Sequence, residues 1–154
     1  MGNAFIAKEV SKIINDKSIE YPRNIALACS WIIANFKGIN IKIFDVGESS
    51  SLCDYNIIAT ATNVTQARAI IHEMTSNLRD NKQNIMSLEG TSDAEWILLD
   101  IADVIVHLFQ ETPRDVFDLD TLWKDYPQIT IPEEYYFSTP QTEVTKEDST
   151  NNYF

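Results

Sequence analysis

The chain lacks any run of ~18 consecutive apolar residues, and no basic segment leads into an apolar one, so neither a membrane span nor a secretory signal is expected. Acids appear early and no arginine-rich amphipathic pattern is present, which argues against an organelle transit peptide. Cysteine is scarce. Cys29 lies in an apolar helix-like stretch and Cys53 in a loop, with no CxxC pair, so both read as free thiols of a reducing, cytosolic compartment. P-loop, GxGxxG and GxSxG motifs are missing, as is any His/Cys cluster at metal-ligand spacing, so neither metal nor cofactor is expected. No internal repeat is visible.

Positive charge is scarce in one half only. Residues 1–82 hold nine Lys/Arg against eight Asp/Glu, whereas residues 83–154 hold three against fifteen, a local net of −12 in a chain of net −11. Phosphate affinity comes mainly from lysine and arginine, so direct nucleic-acid binding is disfavoured. An acidic half suits a basic protein partner, whose encounter it would steer. It suits plain solubility equally well, and composition does not separate the two.

What is present is an ordinary globular body, 154 residues and 44% hydrophobic, enough for one domain with a real core. Apolar residues at 6, 10, 13 and 14 predict a short amphipathic helix over 5–14. Ile25, Cys29, Ile32 and Phe36 recur at spacings of four, three and four, a second helix with Pro22 in its first turn and Gly38 at its C′ position. Residues 39–46 alternate, with Ile39, Ile41 and Ile43 on one side, and predict a strand; 47–54 is a polar loop and 55–62 a second strand. Asn63 and Gln66 have capping-box spacing ahead of a helix carrying Val64, Ala67, Ile71, Met74 and Leu78 on one stripe. A short strand over 85–88 follows. Val116, Leu119, Leu122 and Trp123 recur at helical spacing and predict a closing helix over 113–123. Pro127, Pro132 and Pro140 interrupt the remainder, and 138–154 has the composition of a mobile tail. The sum is a mixed α/β domain over residues 1–137, with a single sheet of about five strands and flanking helices.

The most unusual stretch is Glu89–Gln110: a glycine turn at Gly90, strands over 96–100 and 104–110, and a hinge at Ala102–Asp103. It holds five carboxylates, one tryptophan and one of two histidines, and no lysine or arginine. A metal-dependent transferase needs two carboxylates converging on one ion, which on a strand means positions i and i+2. Asp100 and Asp103 are three apart across a hinge, Asp118 and Asp120 fall in a helical segment, and Asp45 is alone, so no catalytic pair forms. His107, mid-strand among apolar residues, reads as a buried, hydrogen-bonded histidine, and His72 as a surface residue. Trp96 reads either as core or as an interface anchor, since Ile97-Leu98-Leu99 already supplies a buried run and tryptophan is enriched at interface centres.

The order D-V-G (45–47), D-Y-N-I-I-A-T-A-T (54–62), Q-A-R-A-I (66–70), L-E-G (88–90), E-W-I-L-L-D (95–100), D-V-I-V-H-L-F (103–109) and R-D-V-F-D-L-D-T-L-W (114–123) resembles the ribosomal silencing factor family, the Iojap-related proteins. The resemblance spans about residues 22–123. It departs at Ala61, where the family carries glycine, and at Ile71-His72, where it carries alanine-aspartate. The resemblance implies a nucleotidyltransferase-like α/β domain without catalytic acids, hence no enzyme. It implies binding to the fourteenth protein of the large ribosomal subunit, a steric block to subunit joining that lowers translation when nutrients are short, a part in large-subunit maturation, and a homodimer when free. Glu89, Glu95, Trp96, Asp100, Asp115 and Phe117 are then the candidate partner-binding residues, acids meeting basic residues and Trp96 anchoring. The competing readings are a nucleotide-binding or nucleotidyltransferase-like enzyme and a dimeric scaffold for another basic protein.

Overall fold

The structure is a computed structural model that describes residues 2–90 and 92–137. The expected tail, 138–154, lies outside the described residues. The elements are α1 (Gly2–Ile14), α2 (Arg23–Asn35), β1 (Ile39–Asp45), β2 (Tyr55–Thr60), α3 (Val64–Asp80), β3 (Ser87–Gly90), β4 (Trp96–Asp100), β5 (Val104–Phe109), α4 (Glu111–Phe117), α5 (Leu119–Leu122), β6 (Gln128–Ile129) and a 3-10 turn, Glu133–Tyr136. The strands form one mixed sheet in the order β3-β4-β5-β2-β1-β6. Only β2 and β5 run parallel, because α3 and the β3–β4 excursion carry the chain back before β5 begins.

Strand alternation divides the core in two. Ile43, Ile57, Ala59, Leu99, Val106 and Leu108 face α1, α2 and α3, meeting Val10, Ile32, Ile70, Met74 and Leu78. Phe44, Ile58 and Phe109 point to the opposite face and gather a smaller cluster with Trp96, Leu119, Trp123 and Tyr126. Every residue of β2 is buried, as a central strand covered on both sides requires.

The helix stripes and the β4–β5 hairpin match expectation, and several boundaries do not. Among the described residues there are six strands where about five are expected: β6, two residues pairing Ile129 with Ile43, is too short to show a period. Helix α2 ends in a Schellman turn whose left-handed residue is Lys37 (φ 67°), not Gly38. The Lys37 N–H donates to Ala34 O at 3.1 Å and the Gly38 N–H to Ile33 O at 2.8 Å. Gly38 is needed for space, since a Cβ there would lie 2.3 Å from Ile33 Cγ2. Gly90 is not a turn either. It is the last residue of β3, opposite Ile97, and β3 spans Ser87–Gly90 rather than 85–88. A Cβ at Gly90 would lie 3.2 Å from Ile97 Cγ1, so the glycine admits close strand approach. Asn63 caps α3, its Oδ1 accepting from Gln66 N at 2.8 Å, while Gln66 Oε1 reaches one residue further back than a capping box, to Thr62 N at 2.7 Å.

The expected single helix over 113–123 is two short ones. Asp118 takes a left-handed conformation (φ 49°), ending α4 and capping α5, which aspartate tolerates better than most residues. The break rotates the stripe apart: Val116 and Leu122 are exposed, while Leu119 and Trp123 pack on the smaller cluster.

Candidate partner-docking face

The sheet face opposite α1–α3 is covered only in part, by α4 and α5. On its open part lies Trp96, the first residue of β4. Period-2 alternation puts Ile97 and Leu99 toward the helices, and therefore Trp96, Leu98 and Asp100 on this face. The indole is half-buried, its ring centroid 4.8 Å from Phe109 and 4.7 Å from Phe117. Phe117 remains 53% exposed although it touches Trp96, so the aromatic pair continues to the surface. Beside it a shallow cavity of about 310 Å³ is lined by Glu89, Gly90, Trp96 and Leu98.

Beneath the indole is a polar pair with no obvious counterpart in the sequence pattern. Trp96 Nε1–H donates to His107 Nδ1 at 3.2 Å, and His107 Nε2 lies 3.4 Å from Asn56 Oδ1. The imidazole is buried, as read from its apolar neighbours, and burial pushes its pKa down to about 4, so it is neutral near pH 7. An indole N–H only donates, so Nδ1 is the acceptor and Nε2 carries the proton given to Asn56.

The α4–α5 turn is held by a second buried group. Arg114 is 7% exposed and makes a bidentate pair with Asp120, at 3.0 and 2.9 Å. Its Nη1 also donates to Asn40 O at 2.6 Å and Thr60 Oγ1 at 2.9 Å. Lys42 Nζ approaches the same Asp120 at 2.9 Å. The hydrogen bonds from Arg114 chiefly, against the opposing effect of burial and with help from Lys42, hold the Asp120 carboxyl down at about 2. This clip ties α4 and α5 to β1 and β2 and so sets where Phe117 stands.

Of the six candidate partner-binding residues, Glu89, Trp96 and Phe117 come together on the open face. Glu95 is exposed on the connection into β4. Asp100 shares the face but lies at the far end of β4, and its Oδ1 accepts from Ala102 N at 2.8 Å, bracing the β4–β5 turn. Asp115 points elsewhere, lining with Glu111 and Asp118 a polar cavity of about 530 Å³ around Arg114. Sequence reasoning missed Asn56 and Arg114. The one available signal for Arg114 was its isolation, as one of three basic residues among fifteen acids beyond residue 82. No three of the described His, Cys, Asp and Glu residues converge at metal-holding geometry, and no described helix is long and apolar enough to cross a membrane.

Fold and face define a mixed α/β domain presenting an aromatic patch at an open sheet face. The model of the family "Ribosomal silencing factor during starvation" matches residues 19–153, and the chain belongs to that family. The match takes in β6 and the chain beyond Trp123, which the motif resemblance alone had left out. The chain is 30% identical over 100 residues to the ribosomal silencing factor of Halalkalibacterium halodurans, covering 65% of this chain and 77% of that one. It is 23% identical over 87 residues to a mouse protein named for mitochondrial assembly of the ribosomal large subunit, covering 54% of this chain and 38% of that one. A crystal structure from Chromobacterium violaceum superimposes with a TM-score of 0.65 at 26% identity, covering 77% of this chain and all of that one. The family assigns the chain to ribosome-associated regulation of translation.

Proposed function

We propose that this chain binds the large ribosomal subunit through its fourteenth protein, on the side that faces the small subunit. Its bulk there blocks subunit joining and lowers translation when nutrients are short, and it takes part in large-subunit maturation. The site of action is the cytoplasm, the free protein is a homodimer, and no direct nucleic-acid contact or catalysis is involved. The observation that carries the reading is the half-buried Trp96 packed against the exposed Phe117, on an open sheet face in the acidic half of the chain.

A stable complex buries ~1,600 Å² in total, with a few aromatic anchors at its centre dominating the energy. Trp96, Leu98 and Phe117 supply the apolar centre, and Glu89 and Glu95 an acidic rim that meets basic residues of the ribosomal protein. Rim charges act mainly on association rate and salt dependence, the aromatic centre on dissociation. Sedimentation of the purified protein with separated subunits through sucrose gradients tests the reading. It is expected to travel with large subunits and to keep small subunits from joining, and Trp96→Ala to weaken the binding by at least tenfold, the size of a central aromatic anchor. A folded Trp96→Ala protein that binds like the wild type sinks this docking face.

A further inference from the structure

The polar pair beneath Trp96 answers a question that the docking face leaves open: which part of the indole meets a partner. Tryptophan at an interface offers an apolar ring and one N–H donor, and the two call for different partner chemistry. Here the donor is turned inward, to His107 Nδ1 at 3.2 Å, and His107 is in turn tethered to Asn56 on the neighbouring strand. Both polar residues are 7% exposed, so neither has free access to water as an alternative partner. The imidazole also lies against the Trp123 ring, with centroids 5.4 Å apart, and the indole packs on Phe109 and Phe117, which touch each other. The ring is thus held at its N–H edge and by one aromatic cluster.

We infer that His107, oriented by Asn56, is a positioning residue that fixes the Trp96 indole with its N–H toward the sheet and its apolar surface toward the partner. This rests on the reading of Trp96 as a docking residue and deepens it. The partner group that meets Trp96 is therefore an aliphatic side chain or the guanidinium plane of an arginine lying on the ring, not a carbonyl accepting a hydrogen bond. A basic ribosomal protein supplies such groups. Swinging the indole out would leave His107 Nδ1 buried without its donor, so the docking rotamer is prepared before the encounter rather than selected during it.

The prediction separates positioning from mere support of the fold. His107→Leu removes the acceptor, whereas His107→Asn puts an amide oxygen close to where Nδ1 stood. Affinity for large ribosomal subunits is expected to fall about fivefold in His107→Leu, the worth of one neutral hydrogen bond, and to return to within about twofold of wild type in His107→Asn. The indole N–H resonance of Trp96 is expected to lose its hydrogen-bonded shift and exchange faster with water in the leucine variant alone. Placing His107→Leu on a Trp96→Phe background, which keeps a ring and lacks the N–H, completes a double-mutant cycle. The histidine change is expected to cost nothing further there. An equal cost on both backgrounds overturns the inference, because His107 then acts on the fold and not through the indole N–H. So does tight binding by His107→Leu when Trp96→Ala fails to bind, which leaves the docking face standing and removes only the positioning. If Trp96→Ala itself binds normally, the docking face falls and the inference with it.

Discussion

Arg114→Met should cost this protein about 3 kcal/mol of stability, because it removes the buried cation that ties α4 and α5 to the sheet. The guanidinium donates four hydrogen bonds, two to Asp120 and one each to Asn40 O and Thr60 Oγ1. Breaking a buried pair by deleting one partner costs ~3–5 kcal/mol, mostly the desolvation of what is left behind. The low end applies here. Asp120 keeps 24% of its side chain exposed and still has Lys42 at 2.9 Å, so it is screened and not stranded. The orphaned Thr60 hydroxyl is buried and has no such relief. With a urea slope of roughly 2 kcal/mol per molar for a domain of this size, the unfolding midpoint should drop by about 1.5 M at unchanged slope. Adding Asp120→Leu to Arg114→Met should recover part of the loss, since removing both partners leaves no orphaned charge. A single-variant loss below ~1 kcal/mol, or simple additivity of the two changes, would refute the clip as the anchor of the closing helices.

Stability should fall in acid in two separable steps. The His107 pKa is pushed from 6.5 to about 4 by burial, so its contribution is complete above pH 6.5 and is lost as pH drops through that window, at up to ~1.4 kcal/mol per pH unit. His107→Asn should flatten that limb in urea titrations at fixed pH, and an unchanged limb counts against a buried neutral histidine. The Asp120 carboxyl is held down at about 2 from 3.8, so its contribution is present above pH 3.8 and lost below it, a limb that Asp120→Asn should remove. At the end of α2, Gly38→Ala should destabilise by about 1–3 kcal/mol through its clash with Ile33, whereas Lys37→Gly should stabilise by up to ~1 kcal/mol by relieving a left-handed lysine. Thermal melts distinguish these signs, and the reverse order would refute the Schellman assignment.

Elements were legible in the sequence where packing imposes a period and illegible where a single residue decides. The α3 stripe and the β4–β5 alternation could be read because each buries one repeating face, but Ile97-Leu98-Leu99 is apolar at both parities, so only the packed core shows on which side Trp96 lies. The α4–α5 break hides in an unbroken helical spacing, since only the left-handed backbone at Asp118 creates it. Glycine misled twice for the same reason. Gly38 and Gly90 are read locally as turn formers, yet at each a Cβ crowds an isoleucine brought back by the fold, Ile33 at Gly38 and, less tightly, Ile97 at Gly90. Burial of His107 followed from its neighbours in the chain, but its partner Asn56 is 51 positions away, and Arg114 meets Asn40 across 74. Pairs that far apart leave no trace in a single sequence.

The carboxylates of the acidic hairpin divide by what each one holds. Asp100 Oδ1 accepts from Ala102 N, Asp103 Oδ2 from the Tyr21 hydroxyl at 2.9 Å, and Asp93 Oδ1 from Glu95 N at 3.4 Å. Three of the five acids therefore serve turns and a contact to the segment before α2, which is ordinary work for aspartate at left-handed and tight positions such as Ala94 and Ala102. Glu89 and Glu95 are the two acids nearest Trp96, Glu89 lining the cavity beside it and Glu95 preceding it in the chain. In the proposed complex the centre of the docking surface is therefore the aromatic cluster of Phe109, Trp96 and Phe117 and not a ring of acids. In the same proposal the net −12 beyond residue 82 acts at longer range, as a field that raises the encounter rate with a basic surface and fades as salt is added. That reading puts affinity and attraction in different residues. Raising ionic strength should slow association while leaving the dissociation rate of the wild type nearly unchanged, and Trp96→Ala should do the opposite.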